Sequence, residues 1–202
     1  MKVRDKQQSQ SGNVVIFTAV LLTILMIFAA LAVDAASFLG QHSRQTNITQ
    51  IAKEAQSDAA TMMKYSNTPG GDISRYMVDI IRANGFTGKI DVYYFELGSR
   101  DLTIEQATSN RYFAYKVALT DSYKTQFARI IGISEVEITT DLLGLGHPYS
   151  NAAVWRPNHL DNGVFTSQAS ATTPDLKFSP LVNISDLPLD MAASLNQLKK
   201  QD

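Results

Sequence analysis

A chain of 202 residues has room for one compact domain beside a membrane segment, and two full domains are not expected. Its 18 basic and 19 acidic residues nearly balance, to a formal net charge of -1, so no basic face for nucleic acid stands out. The absence of cysteine excludes disulfides, thiolate metal sites and thiol catalysis, and leaves the redox compartment open.

Residues 1–13 read as a polar cytoplasmic leader in which Lys2, Arg4 and Lys6 outweigh Asp5. Val14 to Val33 then runs without charge, proline or glycine. A bilayer core of about 30 Å needs roughly 20 such residues as a helix, so residues 14–38 are expected to form one transmembrane helix. Thr18 and Thr23 fit inside it by back-bonding to carbonyls one turn earlier. Three basic residues precede Asn13, against only Arg44 and Lys53 in the stretch 39–53, so the positive-inside bias puts the N-terminus in the cytoplasm and the rest outside. Ala30-Leu31-Ala32 also has the small-x-small form of a signal-peptidase site, but the apolar run is longer than the ~7–15 residues of a signal-peptide core. Release near Ala32 as a secreted or envelope-anchored binding domain is therefore the alternative to a retained anchor.

Asp34 closes the run. It is either a boundary residue reaching the headgroup layer or a polar handle for another membrane helix, since an intramembrane carboxylate needs a partner. Ala29, Ala30, Ala32, Ala35 and Ala36 keep that end of the helix narrow and make it a candidate helix–helix contact. Beyond the membrane the helix is expected to continue, because Ile48, Ile51, Ala52, Ala55, Ala59 and Met62 recur at steps of three and four. Ile48, Ile51, Ala55, Ala59 and Met62 form a candidate stripe for a partner. Pro69-Gly70-Gly71 should end this helix, and Asp72 should cap a second one running to Asn84-Gly85 with Ile73, Tyr76, Met77, Ile80 and Ile81 on one side.

Alternation predicts strands at Lys89–Leu97, Arg111–Thr120 and Glu135–Leu142, separated by a polar connection at 98–110 and a short helix at Asp121–Ile131. That order implies an α+β fold for residues 39–143, a small antiparallel sheet covered on one face by the long helix and the Ile80 helix. Residues 144–202 are punctuated by Gly and Pro and rich in Ser, Thr, Ala and Asn. They are expected to form a mostly irregular tail ending in a short helix, capped by Asp186, with Leu187, Met191, Leu195 and Leu198 on the face that docks on the domain.

Little here carries catalysis. His42, His147 and His159 do not sit with carboxylates at ligand spacing, and there is no phosphate loop, nucleophile elbow or zinc motif. Neither a metal nor a cofactor is expected. A cell-envelope hydrolase would need a pocket uniting a histidine with carboxylates that lie far apart in the chain. Asn47-Ile48-Thr49 and Asn183-Ile184-Ser185 have the form of glycosylation triplets but are short enough to arise by chance.

Two stretches, one N-terminal and one later in the chain, carry a family resemblance. Gly12-Asn13-Val14-Val15-Ile16-Phe17 leads to Leu31-Ala32-Val33-Asp34-Ala35 and an alanine-rich segment, either Gln50–Ala55 or Ser57–Ala60. Later, Tyr115–Leu119 leads through Thr125–Ile133 to Val136–Thr140. Together these resemble the TadE/TadG-like proteins of bacterial tight-adherence (Tad, or Flp) pilus assembly, and the tail after Leu145 takes no part. The resemblance marks Gly12 and Asn13 as a candidate processing site. Phe17, however, stands where the processed pseudopilins carry glutamate, which favours the uncleaved TadG-like kind. The metal-binding adhesion-type domain of the longer members is missing, since Asp72-Ile73-Ser74 continues as Arg75-Tyr76. What the resemblance implies is a non-enzymatic, minor pilin-like or assembly component, bitopic in the bacterial inner membrane, whose partners are other Tad pilus and secretion proteins and whose role lies in adherence.

Overall fold

The apolar run is continuous with the first helix, α1, which extends from Arg4 to Glu54 in a computed structural model that describes residues 4–55, 66–97, 112–146, 161–168 and 176–198. Helical backbone passes through Gly40 and Asn47 without a break. Thr18 and Thr23 donate their hydroxyls to the carbonyls of Val14 (2.8 Å) and Ala19 (2.9 Å), which satisfies them without interrupting the helix. Among the described residues, α1 is the one helix long and apolar enough to cross a membrane.

The remaining elements are α2 (Pro69–Ala83), β1 (Lys89–Leu97), β2 (Tyr112–Lys124), a 3-10 turn at Ala128–Ile131, β3 (Glu135–Gly146), β4 (Gly163–Ser167), β5 (Leu176–Pro180), a 3-10 turn at Ile184–Asp186, and α3 (Leu189–Leu198). The chain divides into two compact units. One comprises Met1–Gln41 with Tyr123–Val136, the other His42–Ser122 with Glu137–Asp202.

The second unit is built on a five-stranded antiparallel sheet of order β3-β2-β1-β4-β5. β1 is its middle strand, pairing Val92 with Val117 of β2 on one side and with Phe165 of β4 on the other. Because strand side chains alternate, Ile90, Val92 and Tyr94 share a face with Phe113, Tyr115, Val117 and Leu119. That face packs against Ile48 and Ala52 of α1 and Ile73, Met77, Val78 and Ile81 of α2. Phe95 and Ala114 point the other way and are covered by Leu187, Met191 and Leu195. The α+β class holds, but helices cover the sheet on both faces rather than one.

Several local expectations are corrected. The tail is not mostly irregular in its described part, because β4 and β5 add two strands to the sheet edge. Asp121–Ile131 is not a helix. β2 continues to Lys124, and only Ala128–Ile131 turns, as a 3-10 helix closed by Gly132 at φ +93°. Pro69-Gly70-Gly71 begins a helix, since proline is tolerated in a first turn where its missing N–H has no partner to lose, while residues 56–65, through which the first helix was expected to reach this motif, lie outside the described residues. Asp72 therefore lies inside α2, where it accepts the Ser66 hydroxyl at 2.5 Å. The predicted stop at Asn84-Gly85 is observed, with Gly85 at φ +80° and Phe86 N–H bonded to the Ile81 carbonyl. β3 runs on past Leu142 to Gly146. Asp186 belongs to a capping box with Asn183 on the 3-10 turn before α3. The expected helical turn at 103–107 lies outside the described residues.

Candidate functional site

The most heavily bonded polar group of the first unit is Asp34. Directly after the uncharged run, its carboxylate is only 5% exposed. Oδ1 accepts the N–H of Gln126 (2.8 Å) and the Tyr123 hydroxyl (3.2 Å), while Oδ2 accepts the N–H groups of Phe127 (2.9 Å) and Ala128 (2.6 Å). These three amides lead into the 3-10 turn at Ala128–Ile131 and have no partner within it, so Asp34 caps that turn from a residue some ninety positions away. The Tyr123 ring also meets Phe38 edge-on, with centroids 6.3 Å apart.

This geometry gives Asp34 a role beside the boundary and helix-contact readings, that of capping a turn of its own chain. Four donors meet an ionised carboxylate that offers about four lone-pair sites, so its hydrogen-bonding capacity is taken up within the chain. Sequence reasoning had no signal for its partners, because neither Tyr123 nor the peptide groups of 126–128 carry a pattern that points to residue 34.

The neighbouring small residues keep their accessibility. Ala29, Ala32, Ala35 and Ala36 are exposed and Ala30 is half-buried, so this end of α1 retains a narrow surface within the chain's own fold. Gly12 and Asn13 lie within the helical stretch of α1. The proposed partner stripe divides. Ile48 is buried against the sheet and so is not available to a partner, Ile51 is exposed, Ala55 is half-buried, and Ala59 and Met62 lie outside the described residues.

Among the described residues of the second unit, several polar side chains join elements of the fold. Gly70 and Gly71 donate their N–H groups to Asp161 Oδ1 (2.9 Å) and Oδ2 (2.6 Å), which supplies the first turn of α2 with a carboxylate that Thr68, its N-cap, does not provide. Gln45, buried under the sheet, donates to the carbonyls of Leu119 (2.7 Å) and Ile138 (3.3 Å) and so joins α1 to β2 and β3. Asn162 bridges the peptide of Glu96, accepting its N–H and donating to its carbonyl.

On the α3 face, Lys116 sits 2.6 Å from Asp141 and 2.7 Å from Asp190. Burial opposes its charge, but the two carboxylates outweigh burial and raise its pKa, and the Lys116 hydrogen bond lowers that of Asp190. Burial also pushes the Tyr115 hydroxyl well above the ordinary phenol range.

Among the described residues no group of three or more His, Asp or Glu side chains is placed to hold a metal ion. His42 is exposed on α1, and His147 and His159 lie outside the described residues. The carboxylates just described are bound to backbone amides or to cations of their own chain, an arrangement that fixes turns and docks helices. No family model, curated protein or solved structure matches this chain.

Proposed function

We propose that this protein is a bitopic membrane component of a bacterial tight-adherence pilus or its secretion apparatus, anchored in the inner membrane with its N-terminus in the cytoplasm. The observation that carries the membrane part is the helix Val14–Val33. It is as long as a bilayer core is thick, at about 1.5 Å per residue, and its large apolar side chains from Val14 to Phe28 are exposed. Water is a poor solvent for such a helix and lipid a good one. The pilus part rests on the resemblance of Gly12–Phe17, Leu31–Ala35 and Tyr115–Thr140 to TadE/TadG-like proteins.

In this reading the role is non-enzymatic. The exposed alanines around Ala32 meet other membrane helices, and the α+β region meets pilus or secretion components outside. Deleting the gene and counting surface pili tests the assignment, with loss of pili and adherence expected, and normal piliation would overturn it. Mass spectrometry of the mature protein tests the anchor separately. A retained Met1 is expected, whereas Asn13 as the first residue would mean a processed pseudopilin and Val33 a secreted domain.

A further inference from the structure

The turn between β2 and β3 is unusually apolar on its outside. Within residues 126–134, Ile130 is 81% exposed, Ile131 61%, Ile133 47% and Phe127 38%. A connection on a water-facing surface normally carries polar residues, and an exposed cluster of large apolar side chains marks a contact with something else. The cluster is held in a defined conformation. Ile130 N–H bonds to the Phe127 carbonyl (3.0 Å), Ile133 N–H to that of Ala128 (3.2 Å), and the Thr125 hydroxyl and N–H close the base on Ile133 and Ser134.

Its position decides the partner. Asp34 holds the amides of Gln126, Phe127 and Ala128 within 2.9 Å, and Asp34 directly follows Val33, the last residue of the apolar run. The turn is therefore fixed beside α1 at the depth where hydrocarbon gives way to headgroups. We infer that the isoleucine turn 127–133 is a second lipid contact, dipping Ile130, Ile131 and Ile133 into the exported-side leaflet next to the transmembrane helix. Arg129, exposed in the same turn, is suited to the phosphates of that leaflet, as basic side chains at an interface are. Asp34 is then the latch that sets the insertion depth, its carboxylate already covered by Tyr123 and the turn it caps.

The inference rests on α1 spanning the bilayer, and one experiment separates the two. The chain has no cysteine, so single cysteines introduced as Leu25→Cys, Ile130→Cys, Ile131→Cys and Thr139→Cys can each carry a nitroxide in the full-length protein, reconstituted in phosphatidylethanolamine–phosphatidylglycerol vesicles. Oxygen concentrates in lipid and a nickel chelate in water. The oxygen-to-nickel accessibility ratio is expected to be highest at Leu25, several-fold above Thr139 at Ile130 and Ile131, and low at Thr139. A low ratio at Ile130 and Ile131 with a high one at Leu25 would overturn the lipid contact and leave the span intact. A low ratio at Leu25 would overturn both. Labels at Ile130 and Ile131 shielded from both reagents would mean that protein, a second copy or another component, covers the turn, and would also overturn it.

Discussion

Two carboxylates in this protein do the same work in different surroundings. Asp34 in the first unit and Asp161 in the second each reach a turn some ninety residues away along the chain and bind the peptide N–H groups at its start. Asp34 projects from the middle of a continuous helix, is nearly dry, and takes three amides and a phenol. Asp161 sits just before β4, is half-buried, and takes two amides of glycines. Both show a helical turn whose orphan donors are satisfied by tertiary contact and not by its own N-cap residue. The difference lies in what each turn then does. The turn held by Asp161 starts a helix that fills the core, whereas the turn held by Asp34 presents isoleucines outward.

The comparison can be broken at either end. The largest effect is expected from Asp34→Ala, which leaves three amides and the Tyr123 hydroxyl without their acceptor. Hydrogen exchange in the reconstituted protein should show the amides of Gln126, Phe127 and Ala128 losing protection while β1 keeps its own, and equal loss in both would mean that Asp34 supports the whole chain. Asp34→Asn should recover only part of the protection, since the amide retains a single acceptor oxygen.

Gly70→Ala comes next. A Cβ there would lie 2.6 Å from the Tyr94 ring and 2.8 Å from the Asp161 carbonyl oxygen, so overpacking should cost about 1–3 kcal/mol in urea unfolding. Asp161→Ala removes the acceptor from the same turn and should cost about 1–2 kcal/mol, the usual range for losing a good cap. Because the two residues touch, the double variant should lose less than the sum, and strict additivity would argue against a shared clamp.

The smallest effect belongs to the ion pair of Lys116 with Asp190, whose carboxylate side chain is 48% exposed. Solvent screening limits Asp190→Asn to about 0.5 kcal/mol. Its signature is pH-dependent. The Asp190 pKa is lowered in the folded state, so the contribution is present above the ordinary value of 3.8 and lost as pH falls below that through the lowered value. Lys116 is raised, so its share is present below 10.5 and lost as pH climbs past it. Urea midpoints of the parent and the variant should therefore converge in acid and differ near neutrality.

Much of the sheet was legible because its signal is local. Lys89–Leu97 and the strand after residue 111 alternate plainly, and the face assignment of Ile90, Val92 and Tyr94 against Tyr93 and Phe95 follows from a period of two. The docked C-terminal helix was legible for the same reason, from Leu187, Met191 and Leu195. β4 and β5 were not. Each is five residues long, and their strand character comes from pairing with β1 and with each other, which no window around residue 165 contains. The run Thr125–Ile131 has a helix-like pattern of apolar residues, but the continuation of β2 through Tyr123 leaves too little chain for more than a 3-10 turn.

The apolar helix, its length against a bilayer, the amphipathic α2, the alternating strands and the lack of cysteine chemistry were all determined by the sequence alone, because each depends on residues within a few positions of one another. The roles of Asp34, Asp161 and Gln45, the burial of Ile48 against the sheet, and the place of the isoleucine turn beside the end of the apolar run were decided only by tertiary structure. Each of these is a hydrogen bond or packing contact between segments far apart in sequence, and local pattern holds no information about which distant peptide group a buried carboxylate or amide will meet.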